Sequence, residues 1–587
     1  MASRRYALLA AFLIAAVVTS SAAQQGPPPK GDPPKGAAAT KDEKSRSGDD
    51  KKGAPKVAAP EAKDDKKAPP TVTTDGSVII AGQKVEYKAT TGTLPGTDKT
   101  GKAKANIFYM AYTRKSGDAP SARPLTFCFN GGPGSASSYV HLGFFGPRRV
   151  LINNDGLSAP SPAELVDNEC SLLDVTDLVF IDPVSTGLSR AEVPGDAKLF
   201  HGLEEDTQSV GDFIRDYAAK FGRQGSPVYV AGESYGTTRA ASLSAYLQNR
   251  GGVKVAGIVL ISTVLDFQTI RFGGANELPY ALFLPTYTAT AFHHGKLDKK
   301  WAVDLPTALR ESQKYAAGAY LEVLHKGALL TEFERQAAAK QLALLTGLSE
   351  EFVLRSDLRV EATRFRSELL RDQQTVVGRY DARVSAKVAA RPAPGNPPGP
   401  TGTPGAPGTS GATGAQGTGA PTGTAVPPAS GPGGGPGGPR GERIGGGDPS
   451  AALLSPLFTA AMRQYLPDGL GYKSESAYVL SAPVQPWNYG PAGTNQYANV
   501  APRLRSALEK DKGLRVFVAS GYTDLATPFA ATNYTFAHLG PRALMDRVTM
   551  AYYDAGHMMY THEPSRKKLR EDLRKFITAP IAEPATK

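Results

Sequence analysis

Six short apolar runs bounded by turn residues, at 125–129, 178–181, 228–231, 255–261, 514–519 and 548–553, set the frame into which this chain must fold. Runs this uniformly apolar have no polar face to offer water, so they read as parallel strands covered on both sides. Between the first four lie stretches with helical spacing, such as 203–221 and 237–249, and that alternation of strand and helix is α/β order. Residues 297–371 break the rhythm. They are nearly all helical in pattern, with Thr331 and Glu334 spaced as a capping box, and read as a separate helical cap. The expected fold class is therefore α/β: a doubly wound, mostly parallel sheet with an inserted helical cap.

Much of the remaining length is not core. The 587 residues include 63 Gly and 47 Pro, concentrated rather than spread. Residues 1–23 carry Arg4 and Arg5, then an apolar run, then Ser21, Ala22 and Ala23, the layout of a cleavable signal peptide. That run falls short of the roughly 20 residues that span a bilayer. The expectation is export to a periplasmic or extracellular location, without stable membrane insertion once the signal is cleaved. Residues 24–75 hold Pro, Lys, Ala, Asp and Gly with hardly an aliphatic side chain, so they read as a disordered tether. A second low-complexity stretch, 386–450, has Gly at every third position from 399 to 417; Ala420 breaks that register, and the stretch reads as a flexible surface loop. These breaks divide the rest into a first core part at 76–270, a cap at 271–480 that holds the insert, and a second core part at 481–587.

Charge and cysteine content narrow the function classes. The balance of 67 basic and 55 acidic residues gives +12 without a dense Lys/Arg stripe outside the mixed-sign tail, which argues against a nucleic-acid partner. Two cysteines, Cys128 and Cys170, are too few for a disulfide scaffold or a four-cysteine zinc site, and their pairing is left open. His293-His294 lacks the spacing of a metal motif, and no cofactor or metal is expected. Cys128 alternates with Phe127 and Phe129, so it reads as core. A Ser565 to Lys568 S-x-x-K match and Lys99-Thr100-Gly101 stand in reversed chain order, with no S-D-N between them, and carry no penicillin-binding chemistry.

The chemistry-bearing residues lie at the strand ends. Ser234 sits in Gly232-Glu-Ser-Tyr-Gly236 between a strand and a helix, the context of a nucleophile elbow. The strand 125–129 runs into Asn130-Gly-Gly-Pro-Gly134, where glycines expose backbone N–H groups able to stabilise an oxyanion. Asp524 and His557 follow the last two strands, in the order Ser, Asp, His that such a triad takes in this fold class.

With FNGGPGSASS, LVFIDPVSTGLSRA, VAGESYGTTRA, ASGYTDLATP and YDAGHMMY in place, the chain resembles the serine carboxypeptidase family, including its bacterial secreted members, over residues 77 to 575 outside the insert. The resemblance implies an α/β-hydrolase fold with an inserted cap. It makes Ser234 the nucleophile, His557 the base and then acid, and Asp524 the orienting carboxylate. It also implies an oxyanion hole from the N–H groups of Gly132 and Tyr235, and a clamp for the substrate carboxylate from Asn130, Gly131 and Glu233. Two positions depart from the family. Met558 stands where many members carry a Glu that pairs with the one before Ser, and Ser185 stands where Gly is common. The resulting expectation is a serine-type carboxypeptidase acting on peptides with a free C-terminus through an acyl-enzyme. The alternatives are an aminopeptidase, esterase or acyltransferase on the same fold, or a non-catalytic tethered binding protein; Asn130 in place of the His of an H-G-G-P-G loop disfavours the aminopeptidase.

The insert has no apolar periodicity to pack, and long loops cost little closure entropy. Deleting residues 394–438 is therefore expected to leave peptide hydrolysis and Tm within experimental error of the full chain, as measured by progress curves and thermal melts.

Overall fold

A computed structural model describes residues 71–115, 119–250, 253–273, 275–388 and 447–580. The signal peptide, nearly all of the tether and all but the edges of the insert lie outside the described residues.

The strands in chain order are β1 (Val72–Ile80), β2 (Gln83–Thr97), β3 (Ala103–Arg114), β4 (Leu125–Phe129), β5 (Arg148–Val150), β6 (Leu165–Asp167) and β7 (Asp177–Ile181). They continue with β8 (Arg190–Ala191), β9 (Val228–Glu233), β10 (Val255–Ile261), β11 (Thr375–Val377), β12 (Ser385–Lys387), β13 (Arg515–Gly521) and β14 (Val548–Tyr553). The main sheet runs β1-β2-β3-β7-β4-β9-β10-β13-β14, with β8 beside β3, while β5 with β6 and β11 with β12 form separate small pairs. All five contacts from β7 to β14 are parallel, and they join the six strands expected from the apolar runs. β1, β2 and β3 add an antiparallel edge that the sequence reading did not resolve into strands.

That edge corrects the tether boundary. β1 starts at Val72, four residues inside the stretch read as disordered to Asp75, because Val72, Thr73 and Thr74 pair with Thr91, Thr90 and Ala89 of β2. Likewise Ser385–Lys387 is strand, and the helix Pro449–Gln464 begins before the expected end of the insert.

The inner parallel strands β4, β7, β9, β10 and β13 are covered on both faces, as uniformly apolar strands require. Alternation along β4 sends Phe127 and Phe129 to one cluster, with Val230, Leu260, Phe213 and Leu504, and Cys128 to the other, with Phe180, Phe517, Leu569 and Leu573. Cys128 and Cys170 are both buried and free.

The cap has its own core, in which Leu284, Tyr287, Leu342, Phe352 and Phe365 pack together and meet Leu525 of the sheet domain. The Thr331–Glu334 capping box opens the helix Glu332–Thr346, and Gly347 closes it at φ 71°. The far cap limit of 480 does not hold as drawn. Phe458 and Met462 of Pro449–Gln464 pack in the cluster of Tyr112 and Phe144, on the face of the sheet. Among the described residues no helix is long and apolar enough to cross a membrane.

At the amino ends of the strands, opposite the chemistry, Asp177 is buried and accepts hydrogen bonds from Arg123 Nε (3.2 Å), Arg223 Nη1 (2.7 Å) and the Arg114 N–H (3.0 Å). Removing one carboxylate would strand two guanidinium groups in the interior, a loss costing about 3–5 kcal/mol. Asp177→Ala is expected to lower unfolding free energy by that amount in urea titrations.

Candidate active site

Because the central strands are parallel, their carboxyl ends share one edge, and the loops leaving β4, β9, β13 and β14 meet there. Ser234 follows β9 directly at φ 60°, a left-handed conformation that a side-chain-bearing residue holds only under tertiary constraint. Its N–H donates to the Ile261 carbonyl (3.0 Å), and its own carbonyl accepts from Thr237 Oγ1 (2.7 Å). The flanking glycines are steric requirements: a Cβ on Gly232 would collide with the Gly236 carbonyl, and one on Gly236 would crowd the Phe129 carbonyl at 3.0 Å.

The glycine loop nests against this elbow. A Cβ on Gly131 would collide with the amide nitrogens of Tyr235 and Gly236, and Gly132 takes φ 103°. Asn130, Gly131, Gly132, Glu233, Ser234, Tyr235, His557 and Met558 all line one cavity of about 570 Å³. The structure thus brings together every expected site residue except Asp524, which stands behind His557.

Asp524 is fully buried and saturated with donors. His557 Nδ1 donates to Oδ2 at 2.7 Å and Thr527 Oγ1 to the same oxygen at 2.6 Å, while Oδ1 accepts the N–H groups of Ala526 (2.8 Å) and Thr527 (3.0 Å). A carboxylate so placed fixes the His557 tautomer with Nε2 unprotonated, ready to accept a proton. Burial alone would depress the His557 pKa; the charge and hydrogen bond of Asp524, with a smaller contribution from Glu233, outweigh it and leave the imidazole above its ordinary value.

The segment 379–383, returning from the cap, stitches the loops bearing Asp524 and His557 together. The Tyr380 carbonyl accepts the His557 N–H at 2.6 Å and the Arg379 carbonyl the Leu525 N–H at 3.0 Å. The Ala382 N–H donates to Thr523 O (3.0 Å), and Thr523 Oγ1 donates to Asp381 Oδ1 (3.0 Å). Gly556 is needed here because a Cβ would strike the Tyr380 carbonyl. Nothing in the local sequence marked this segment, whose contacts to the two loops are all long-range.

Glu233 is buried, with Oε1 accepting from Asn130 Nδ2 (2.9 Å) and Oε2 from the Tyr560 hydroxyl (2.6 Å). Burial pushes its pKa up to about 7, against the lowering effects of His557, Tyr560 and Asn130. Tyr560, which the sequence reading did not single out, thus supplies a donor on the carboxylate whose usual acidic neighbour is replaced by Met558. Its signal was the end of the motif YDAGHMMY, three residues past His557. Arg239, inside VAGESYGTTRA, was also missed: fully buried, it donates to the Asn130 carbonyl (2.7 Å) and Asp206 (2.8 Å), tying the glycine loop to the nucleophile helix.

The remaining singled-out residues have local explanations. Ser185 takes φ 80°, which accounts for Gly being common there, and its hydroxyl meets His201 Nε2 at 2.9 Å. His294 Nε2 meets the Ala382 carbonyl at 2.7 Å. Ser565 pairs with His562 Nδ1, and Thr100 caps a turn on Asp98.

Residues 81–263 match the family model described as serine carboxypeptidase. Curated relatives include a pheromone-processing carboxypeptidase of Cryptococcus gattii, 30% identical over 159 residues that make up 27% of this chain and 22% of that protein. A serine carboxypeptidase-like protein of Arabidopsis thaliana is 30% identical over 172 residues, 28% of this chain and 33% of that one. The chain thus matches a third or less of the length of these relatives. Among solved structures, a prohormone-processing carboxypeptidase from Saccharomyces cerevisiae aligns with 84% of this chain and 91% of its own, at a TM-score of 0.45 and 17% identity. Over the segment that holds the glycine loop and Ser234, the chain is similar to the serine carboxypeptidase family.

Proposed function

We propose that the protein is an exported serine-type carboxypeptidase that releases C-terminal residues from peptides through an acyl-enzyme. The observation that carries this reading is His557, held by Asp524 at 2.7 Å, on the wall of the cavity that also holds Ser234 and the hydrogen-bonded Glu233. In this mechanism His557 Nε2 takes the Ser234 hydroxyl proton as Oγ attacks the scissile carbonyl. The N–H groups of Gly132 and Tyr235 receive the developing oxyanion, on a loop and helix start that are already fixed against each other. His557 then protonates the leaving amine, and a water activated by the same imidazole cleaves the ester.

The preference for a free C-terminus comes from Glu233. Below about pH 7 it is protonated, so it can donate to the substrate carboxylate; above that it repels it. The Asn130 amide, oriented by the Val140 N–H on Oδ1 at 3.0 Å, adds a second donor. Met558 contributes no further acid, so one proton governs the clamp.

Three outcomes follow. If only the protonated form binds, KM for an N-blocked dipeptide acid is expected to rise about tenfold from pH 6 to pH 8, whereas Glu233→Gln shows a flat KM over that range. The amidated form of the same peptide is expected to be hydrolysed far more slowly than the free acid; equal kcat/KM on acid and amide would remove the protein from the carboxypeptidase class. Tyr560→Phe removes a hydrogen bond that favours the ionised Glu233, so the pH at which KM rises is expected to move upward, read from the same titration of KM.

A further inference from the structure

The cavity around Ser234 is unevenly charged. Among the described residues, its only Asp, Glu, Lys, Arg or His lining residues are Glu233, Arg271, Arg379 and His557. The buried arginines elsewhere among the described residues are matched with acids: Arg123 and Arg223 with Asp177, Arg239 with Asp206, Arg383 with Asp381, Arg566 with Glu169 and Arg570 with Asp174. Arg271 and Arg379 differ. Among the described residues neither guanidinium has a carboxylate partner; each lies over an aromatic ring, Arg271 5.8 Å from Phe267 and Arg379 5.2 Å from Tyr380.

The two arginines reach the cavity from different elements. Arg271 leaves the loop whose Phe267 packs on Tyr489 (5.3 Å), which in turn faces Tyr235 (6.5 Å). Arg379 belongs to the segment that runs along His557. Its N–H donates to Asp448 Oδ1 (2.6 Å), its carbonyl accepts from Leu525, and the ring of Tyr380 lies 5.2 Å from the imidazole. His557 hands its proton to the departing amine, so Arg379 stands on the side of the residue to be released. Its backbone is pinned at both ends, while its side chain is exposed to the cavity. The position next to His557 in sequence is Met558, and among the described residues no acid besides Glu233 lines the cavity to repel another substrate carboxylate.

We propose that Arg379 is a specificity-determining residue that selects peptides ending in Asp or Glu, its guanidinium pairing with the side-chain carboxylate of the terminal residue. The planar fork of Arg fits a carboxylate in two parallel hydrogen bonds, a match that a neutral amide cannot reproduce. The inference rests on the carboxypeptidase reading and names its substrate class.

The test is a ratio of kcat/KM for two N-blocked dipeptides that differ only in ending in Glu or Gln, so that a general loss of activity in any variant cancels. The wild type is expected to favour Glu by about tenfold, a charge-assisted hydrogen bond set against a neutral one. That ratio is expected to shrink as salt is raised, because the pair is accessible to solvent. Arg379→Gln is expected to bring it to about one, Arg379→Lys to keep part of it, and Arg379→Glu to reverse it in favour of a peptide ending in Lys. Equal wild-type rates on Glu and Gln, a preference that survives Arg379→Gln, or one that follows the penultimate residue and is lost in Arg271→Gln would each overturn the assignment. Hydrolysis of the Gln peptide without preference would sink this inference and leave the carboxypeptidase reading standing. Hydrolysis of neither peptide would overturn both.

Discussion

The site depends on how closely the glycine loop approaches the nucleophile elbow. Gly131 stands against the Tyr235 and Gly236 amides where no Cβ would fit, and Gly232 and Gly236 are pressed together across the turn. This contact lets Ser234 hold φ 60° on the wall of the cavity that Gly132 and Tyr235 also line. Strain of this kind, on the order of 1–3 kcal/mol per residue, persists only where the surroundings over-determine it. Arg239 is part of that determination: its buried guanidinium holds the Asn130 carbonyl and Asp206 together, and stacks 5.0 Å from Phe129 and 5.4 Å from Tyr235.

The cap does more than cover the site. Its return segment accepts or donates backbone hydrogen bonds to Thr523, Leu525 and His557, and Arg383, clamped by Asp381, reaches the Asp554 carbonyl at 3.2 Å. The loops bearing Asp524 and His557 are therefore held by a turn segment from a different part of the chain. The distance between Nδ1 and Oδ2 is a property of cap and sheet together. A change in the cap far from Ser234 has a direct route to the geometry of the base.

The parallel half of the sheet was legible because inner strands buried on both faces have no choice but to be uniformly apolar; 125–129 and 255–261 match β4 and β10 to the residue, and 548–553 matches β14, the partly exposed edge strand. The grouping of Ser234 with His557 and Asp524 was legible for a related reason: parallel strands place all their carboxyl ends on one edge, so the position of Asp524 and His557 after strands was already a statement about space. β1 to β3 were not, since their Thr-rich alternation, with Gly92, Pro95 and Gly96 inside β2, carries the weak signal of a half-exposed edge. Tyr560, Arg239 and the 379–383 segment were hidden because each acts across more than 100 residues of sequence, through contacts that no local spacing encodes. At Met558 a comparison by position registered only a loss, while the structure places the Tyr560 hydroxyl on the same carboxylate.

The central claim is that the Asp524–His557 pair activates a serine held on the strained elbow, and covalent labelling tests it most directly. The measurement is the rate of adduct formation with an organofluorophosphonate, with the modified residue located by peptide mass mapping. The account predicts one adduct, on Ser234, forming orders of magnitude more slowly in His557→Ala, since a triad nucleophile deprived of its base loses most of its reactivity. An adduct on a different serine, or equal labelling of Ser234 with and without the imidazole, would contradict it.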